Sequence, residues 1–146
     1  MSASNSFENS NLLHIFQNAN IANIGNATGL RGASTAGNLY VSLHTSDPGE
    51  AGNQSTSEAT YTGYSRVTVV RSSSGWTVSG STCTNATIIT FGQCTANSNV
   101  VTYFGIGTAA TGTGTLLISG ILTPSFTVGV GVTPRFAIGG LSVDVE

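Results

Sequence analysis

Lysine is absent from this 146-residue sequence, and charge of either sign is scarce. There are four arginines, six acidic residues and two histidines. Charged residues make up 7% of the chain, against about 25% in an ordinary soluble protein. Arginines at 31, 66, 71 and 135 and a formal net charge of −2 leave no electrostatic footprint for nucleic acid. No apolar run approaches the ~20 residues of a membrane span. The polar start MSASNSFENSN lacks the basic and apolar segments of a signal peptide, so synthesis in a cytosol is expected. Cys83 and Cys94 are the only cysteines and form no CxxC, which leaves thiol redox catalysis and structural zinc without a scaffold. No GxSxG nucleophile elbow is present.

What is present is a hydrophobic fraction of 39%, carried in short regular runs, with Gly, Ser, Thr and Asn between them. Disorder goes with high charge and few apolar residues, so this chain should fold. Its length fits one domain with a real core. Monomeric sheet proteins protect their edge strands with charge, lysine above all. A chain with so little charge is expected to cover much of its surface with copies of itself or a larger assembly.

One helical pattern stands out. In SFENSNLLHIFQNA, Ser6 to Ala19, the residues Leu12, Ile15, Phe16 and Ala19 recur at helical spacing and form one apolar face. Ser6 is the expected N-cap, with Glu8 in the first turn, where the helix dipole favours an anion. The segment Asn18 to Gly37, rich in Asn, Gly and Ala, reads as an irregular arm. From Leu39 onward the sequence reads as eight or nine short strands: LYVSLH, SRVTVV, GWTVSG, ATIITF, VVTYFGI, TLLISGIL, SFTVGV, RFAIGG and LSVDV. TPSF at Thr123 to Phe126 is echoed by TPRF at Thr133 to Phe136, and both read as strand entries, where a missing N–H is tolerated. The expected fold is mostly β: a β-sandwich or jelly-roll-like domain over 39–146, preceded by a helix and extended arm over 1–38.

Candidate chemistry is thin. His44, Asp47 and Glu50 would cluster on a helix, but LYVSLH is strand and SDPG is a turn, so Asp47 is expected to bond the turn backbone and His44 to be structural. FGIGTAATGTGT contains GxG, yet a strand follows it and not the helix that a phosphate loop needs. The two cysteines could pair across a β-layer or sit as small buried hydrophobes. No catalytic residue, metal or cofactor is expected. Trp76 is expected in the core.

Taken in order, YVSLHTSDPGEAG, GYSRV, GWTVS and YFGIGTA resemble a family of small tailed-bacteriophage virion proteins. Members open with a short helix, then carry a strand ending in ALHTADPG or similar, then GYARV and a tryptophan strand. The match covers most of residues 39–123. The resemblance implies a virion structural protein with no enzyme activity or cofactor. Within that class, a compact sandwich with an arm fits a capsid decoration or cement protein, assembled in the host bacterial cytoplasm. Its expected partners are the major capsid protein and copies of itself, with no nucleic acid and no membrane. The alternative is a tail-fibre or baseplate component in host attachment. The expected assembly contacts are Leu12, Ile15, Phe16, Ile21, Ile24, Leu30 and Arg31, because the helix stripe and the arm need something to cover them.

Overall fold

The computed structural model describes residues 3–22, 24, 29 and 32–145. In chain order the elements are helix α1 (Asn5–Gln17) and strands β1 (Asn38–His44), β2 (Val67–Val70), β3 (Trp76–Ser79), β4 (Thr82–Asn85), β5 (Ile89–Thr90), β6 (Asn99–Gly107), β7 (Leu116–Val128), β8 (Arg135–Phe136) and β9 (Ser142–Asp144). The sheets run β2-β1-β6-β7, β3-β4-β9 and β5-β8. The fold is mostly β with one short N-terminal helix, in the sandwich class read from the sequence. The chain forms two compact units built from separated segments. One comprises Met1–Asn38, Val70–Ile88 and Phe136–Glu146; the other comprises Leu39–Val69 and Ile89–Arg135.

In the first unit the helix starts two residues earlier than its sequence pattern indicates. Ser4, not Ser6, is the N-cap: its backbone is extended, and its hydroxyl accepts the Phe7 amide at 3.4 Å. Ser6 already lies in the first turn. Asn18 closes the helix in the left-handed region at φ 58°, a conformation asparagine tolerates. The last carbonyls then find a cation. Arg71 donates from Nε to the Ile15 carbonyl and from Nη2 to the His14 carbonyl, each at 2.5 Å, and from Nη1 to the Ala36 carbonyl at 3.2 Å. A guanidinium there satisfies orphan carbonyls and opposes the negative end of the dipole.

The helix stripe is covered by this chain itself. Leu12 and Phe16 are fully buried, and the Phe16 ring meets Trp76 edge-on at 4.8 Å. Trp76 opens β3 and is 0% exposed, as its core assignment requires. Ile15 and Ile24 are half-buried, Ile21 is buried, and Leu30 and Arg31 lie outside the described residues. After the helix the chain turns back on it. Asn18 and Ala33 exchange two hydrogen bonds of 2.7 Å, and Asn20 accepts the Gly32 amide at 2.9 Å.

Strand β4 has no large apolar residue and was not among the expected strands. Buried Asn85 at its end holds it in place. Asn85 Nδ2 donates to the Thr87 and Ala137 carbonyls at 2.7 and 2.8 Å, and Oδ1 accepts the Leu141 amide at 2.9 Å. Cys83 is free and buried in the same strand, and burial pushes its thiol up to about 12.

In the second unit, β1 and β6 pair in antiparallel register from Tyr40–Gly107 to His44–Tyr103. Val41, Leu43 and Ile106 lie buried on one face of this pair, and Ser42 and His44 are buried on the other. TLLISGIL and SFTVGV are not two strands but one, the thirteen-residue β7. Pro124 is accommodated because Leu122 to Ser125 bulge opposite Thr102 alone. A bulge is where a residue without an N–H donor fits a ladder. Cys94, also free and buried, belongs to this unit.

Candidate functional site

Two of the charged residues of the second unit, Glu58 and Arg66, meet in one place. Strand β1 ends at His44, the chain loops through 45–66, and Arg66 leads into β2. Arg66 and Glu58 form a two-point ion pair, Nε to Oε1 and Nη2 to Oε2, both at 2.7 Å. The same guanidinium donates to the Ala109 carbonyl at 2.9 Å and the Gly112 carbonyl at 2.7 Å, in the turn between β6 and β7. The Arg66 side chain is 3% exposed and that of Glu58 16%. The Glu58 carboxylate raises the Arg66 pKa by holding the charged form in place. Tyr64 donates its hydroxyl to Glu58 Oε1 at 2.8 Å and accepts the Leu43 amide at 3.1 Å. Burial pushes the Tyr64 phenol well above its ordinary range, so it stays a neutral donor.

The loop is fixed to the turn at two further points. Gln54, fully buried, accepts the Ala109 amide through Oε1 at 2.8 Å, and Ser55 donates its hydroxyl to the Gly112 carbonyl at 2.8 Å. Two glycines of β6 make this approach possible. A Cβ at Gly105 would stand 2.6 Å from both His44 Nε2 and Ser42 Oγ, and one at Gly107 would collide with the Gln54 side chain.

His44 belongs to the same scaffold. Its Nδ1–H donates to the Thr56 carbonyl at 2.8 Å, which fixes the neutral tautomer, and its Nε2 then accepts the Ser42 hydroxyl at 2.8 Å. Ser42 and His44 are each 0% exposed, so no substrate can reach the hydroxyl. Asp47 turns away into the loop, where Oδ1 accepts the Gly49 amide at 2.9 Å, as the turn reading requires. Glu50 is exposed. The structure thus does not bring His44, Asp47 and Glu50 together, and among the described residues no group of three His, Cys, Asp or Glu side chains gathers to hold a metal ion.

Burial lowers the His44 pKa below its ordinary 6.5, an effect only partly offset by the Thr56 hydrogen bond. The ring is therefore neutral in the fold, while the unfolded chain takes up a proton as the pH falls through 6.5. Stability from this site is complete above pH 6.5 and is lost on acidification below it. The slope is at most about 1.4 kcal/mol per pH unit. Urea unfolding between pH 7.5 and 5 should show that loss, and His44→Asn should flatten it. An equal slope in both proteins would place the titrating group elsewhere.

Two clefts flank this scaffold. One, of about 470 Å³, lies between the loop residues Asp47, Gly49, Glu50 and Gly52 and the β7 residues Leu116 to Ser119. The other, of about 260 Å³, is lined by Glu58, Tyr64, Ser65, Arg66, Ala110, Thr111 and Gly112. Of the residues expected as contacts, none belongs to this region. Glu58, Arg66 and Gln54 were missed by their pattern, since loop residues carry no periodicity. The available signal was chemical: two opposite charges in a chain with ten charged side chains.

A buried ion pair, a sealed Ser–His contact and two pinned loops define a class, a β-rich module whose loops are tied to its sheet by buried polar contacts. The segments that meet here, SLHTSDPG and GYSRV, also carried the resemblance to phage virion proteins. The chain belongs to a podophage fibre family, whose model, described as podophage GP4 fiber I protein gp80, matches residues 2–144. Among curated proteins no relative matches. The family makes this chain a bacteriophage virion structural protein and favours the tail-fibre alternative over the capsid-decoration reading. No helix among the described residues is long and apolar enough to cross a membrane.

Proposed function

We propose that the protein is a non-enzymatic component of the phage tail fibre that takes part in host attachment. The observation that carries this reading is the family match across residues 2–144. The geometry supports it in a general way. The Glu58–Arg66 pair fixes loop 45–66 to the turn at 108–115, so exposed polar loops are held on a rigid sheet, the usual arrangement for a binding surface. The inaccessible Ser42–His44 pair supports a structural role for a contact that looks like a nucleophile and base. Assembly in the host cytoplasm belongs to the same reading.

Immunogold labelling of purified virions tests the location. Gold should sit on the tail, with a handful to tens of copies per particle. Label spread over the head at hundreds of copies would restore the capsid-decoration reading. Attachment is tested separately: host cells preincubated with the purified protein should adsorb fewer phage, and unchanged adsorption would remove the host-binding role while leaving the location intact.

A further inference from the structure

Strand β7 is the edge of its sheet, paired on one side with β6. None of its thirteen residues is charged. Natural edge strands are protected by charge, proline, bulges or cover, because a bare row of N–H and C=O groups pairs with any strand that reaches it. Here the proline and the larger bulge fall in the second half, at Leu122 to Ser125. The first half, Leu116 to Ile121, has neither charge nor proline, carries a single-residue irregularity at Leu117, and has no partner on its outer edge among the described residues. A 470 Å³ cleft separates Leu116 to Ser119 from the loop residues Asp47, Gly49, Glu50 and Gly52. Alternate residues Leu117, Ser119 and Ile121 are the exposed ones, with Leu117 at 42% and Ile121 at 66%.

The chemistry of the edge selects an extended backbone as its occupant, since only a strand can answer alternating donors and acceptors at this spacing. The sequence selects which strand. LLISGIL, Leu116 to Leu122, reads nearly the same in both directions about Ser119. Laid antiparallel on a second copy with Ser119 opposite Ser119, it places Leu117 opposite Ile121, Leu116 opposite Leu122, and Ile118 opposite Gly120. Every apolar side chain that is exposed in one chain then meets an apolar side chain of the other, and the serines meet each other. Cross-strand pairs of this kind are the unit of sheet stabilisation. A two-fold contact requires such a self-complementary surface. We infer that β7 is a self-association edge: two copies of this chain join their sheets antiparallel through Leu116 to Leu122, about a two-fold axis at Ser119.

The full-length protein tests this directly. In sedimentation at increasing concentration, the wild type should pass from the mass of one chain to twice that mass. Ile121→Lys should remain monomeric at the same concentrations, with an unchanged circular dichroism spectrum, since Ile121 is largely exposed. A covalent test does not depend on that variant. Directly opposite residues in an antiparallel pair have Cα atoms about 4.5–5.5 Å apart, inside the roughly 4.4–6.8 Å that a disulfide spans. Under mild oxidation Ser119→Cys should run mostly as a dimer on a non-reducing gel. Thr127→Cys, exposed on the same strand but far from the axis, should not. The native Cys83 and Cys94 are buried and serve as a silent background. A wild type that stays monomeric overturns the inference. So does an oligomer that survives Ile121→Lys, or one that cross-links through Thr127→Cys and not through Ser119→Cys.

Discussion

Arg66→Ala should cost about 3–5 kcal/mol of folding stability, the range for breaking a buried ion pair from one side. Three consequences add in the same direction. The Glu58 carboxylate loses its two charge-assisted bonds and keeps its mostly desolvated position. The Ala109 carbonyl loses its Arg66 donor, and the Gly112 carbonyl keeps only the Ser55 hydroxyl. Tyr64 is left donating to an uncompensated anion. A domain of this size has about 5–15 kcal/mol in total, so the variant should sit near the edge of folding. Arg66→Lys should recover only part of the loss, because an ammonium cannot match the planar fork that bonds Glu58 at two points. Urea denaturation of the three proteins checks the order. Hydrogen exchange checks the mechanism: amides of residues 108–115 should lose protection in Arg66→Ala before the β1–β6 ladder does. A loss under 1 kcal/mol would mean that the pair behaves as an exposed surface bridge.

Trp76→Ala should be comparably severe, at about 3–5 kcal/mol. The indole is fully buried and in edge contact with Phe16, so its removal leaves a cavity in the core of the first unit and strips the helix of its main partner. The helix should then loosen. Its backbone is tied to β3 by Gln17 Nε2 on the Trp76 carbonyl at 2.9 Å, a bond that side-chain truncation does not remove. Thermal unfolding should show a midpoint lower by many degrees, with reduced helical ellipticity below the transition. Should the variant keep its wild-type midpoint, the indole does not hold the core.

Much of the fold was legible because periodicity reports burial. Leu12 and Phe16, four residues apart, gave the helix, and the alternation Leu39, Val41, Leu43 gave the first strand. The errors have equally local causes. Thr82 to Asn85 forms a strand without an apolar stripe, and what secures it is one amide side chain bonding three backbone groups. Pro124 signals a strand entry in any sequence reading, yet a bulge of four residues lets the strand pass through it. Ser6 was read as the cap, and the extended backbone of Ser4 shows that the cap lies two residues before it. The site was the least legible part. Glu58 and Arg66 lie eight residues apart in a loop, and the carbonyls that Arg66 holds lie more than forty residues further on. The stripe on the helix was visible, but not that Trp76 would cover it. Nothing in a pattern of apolar residues distinguishes a face turned to a neighbour from one turned to the chain's own strand.

The two units draw on alternating stretches of the chain, and this sets a timetable for synthesis. The second unit has all of its residues once position 135 has been made. The first unit has its helix from the outset, but its sheet lacks β9 until residues 142–144 appear. Domains fold as units while the ribosome adds about 5–20 residues per second. The first unit is therefore begun first and completed last. Leu12 and Phe16 can meet Trp76 once β3 has been made, but the sheet behind that contact stays unfinished until β9 arrives, so the first unit should be the later of the two to gain protection.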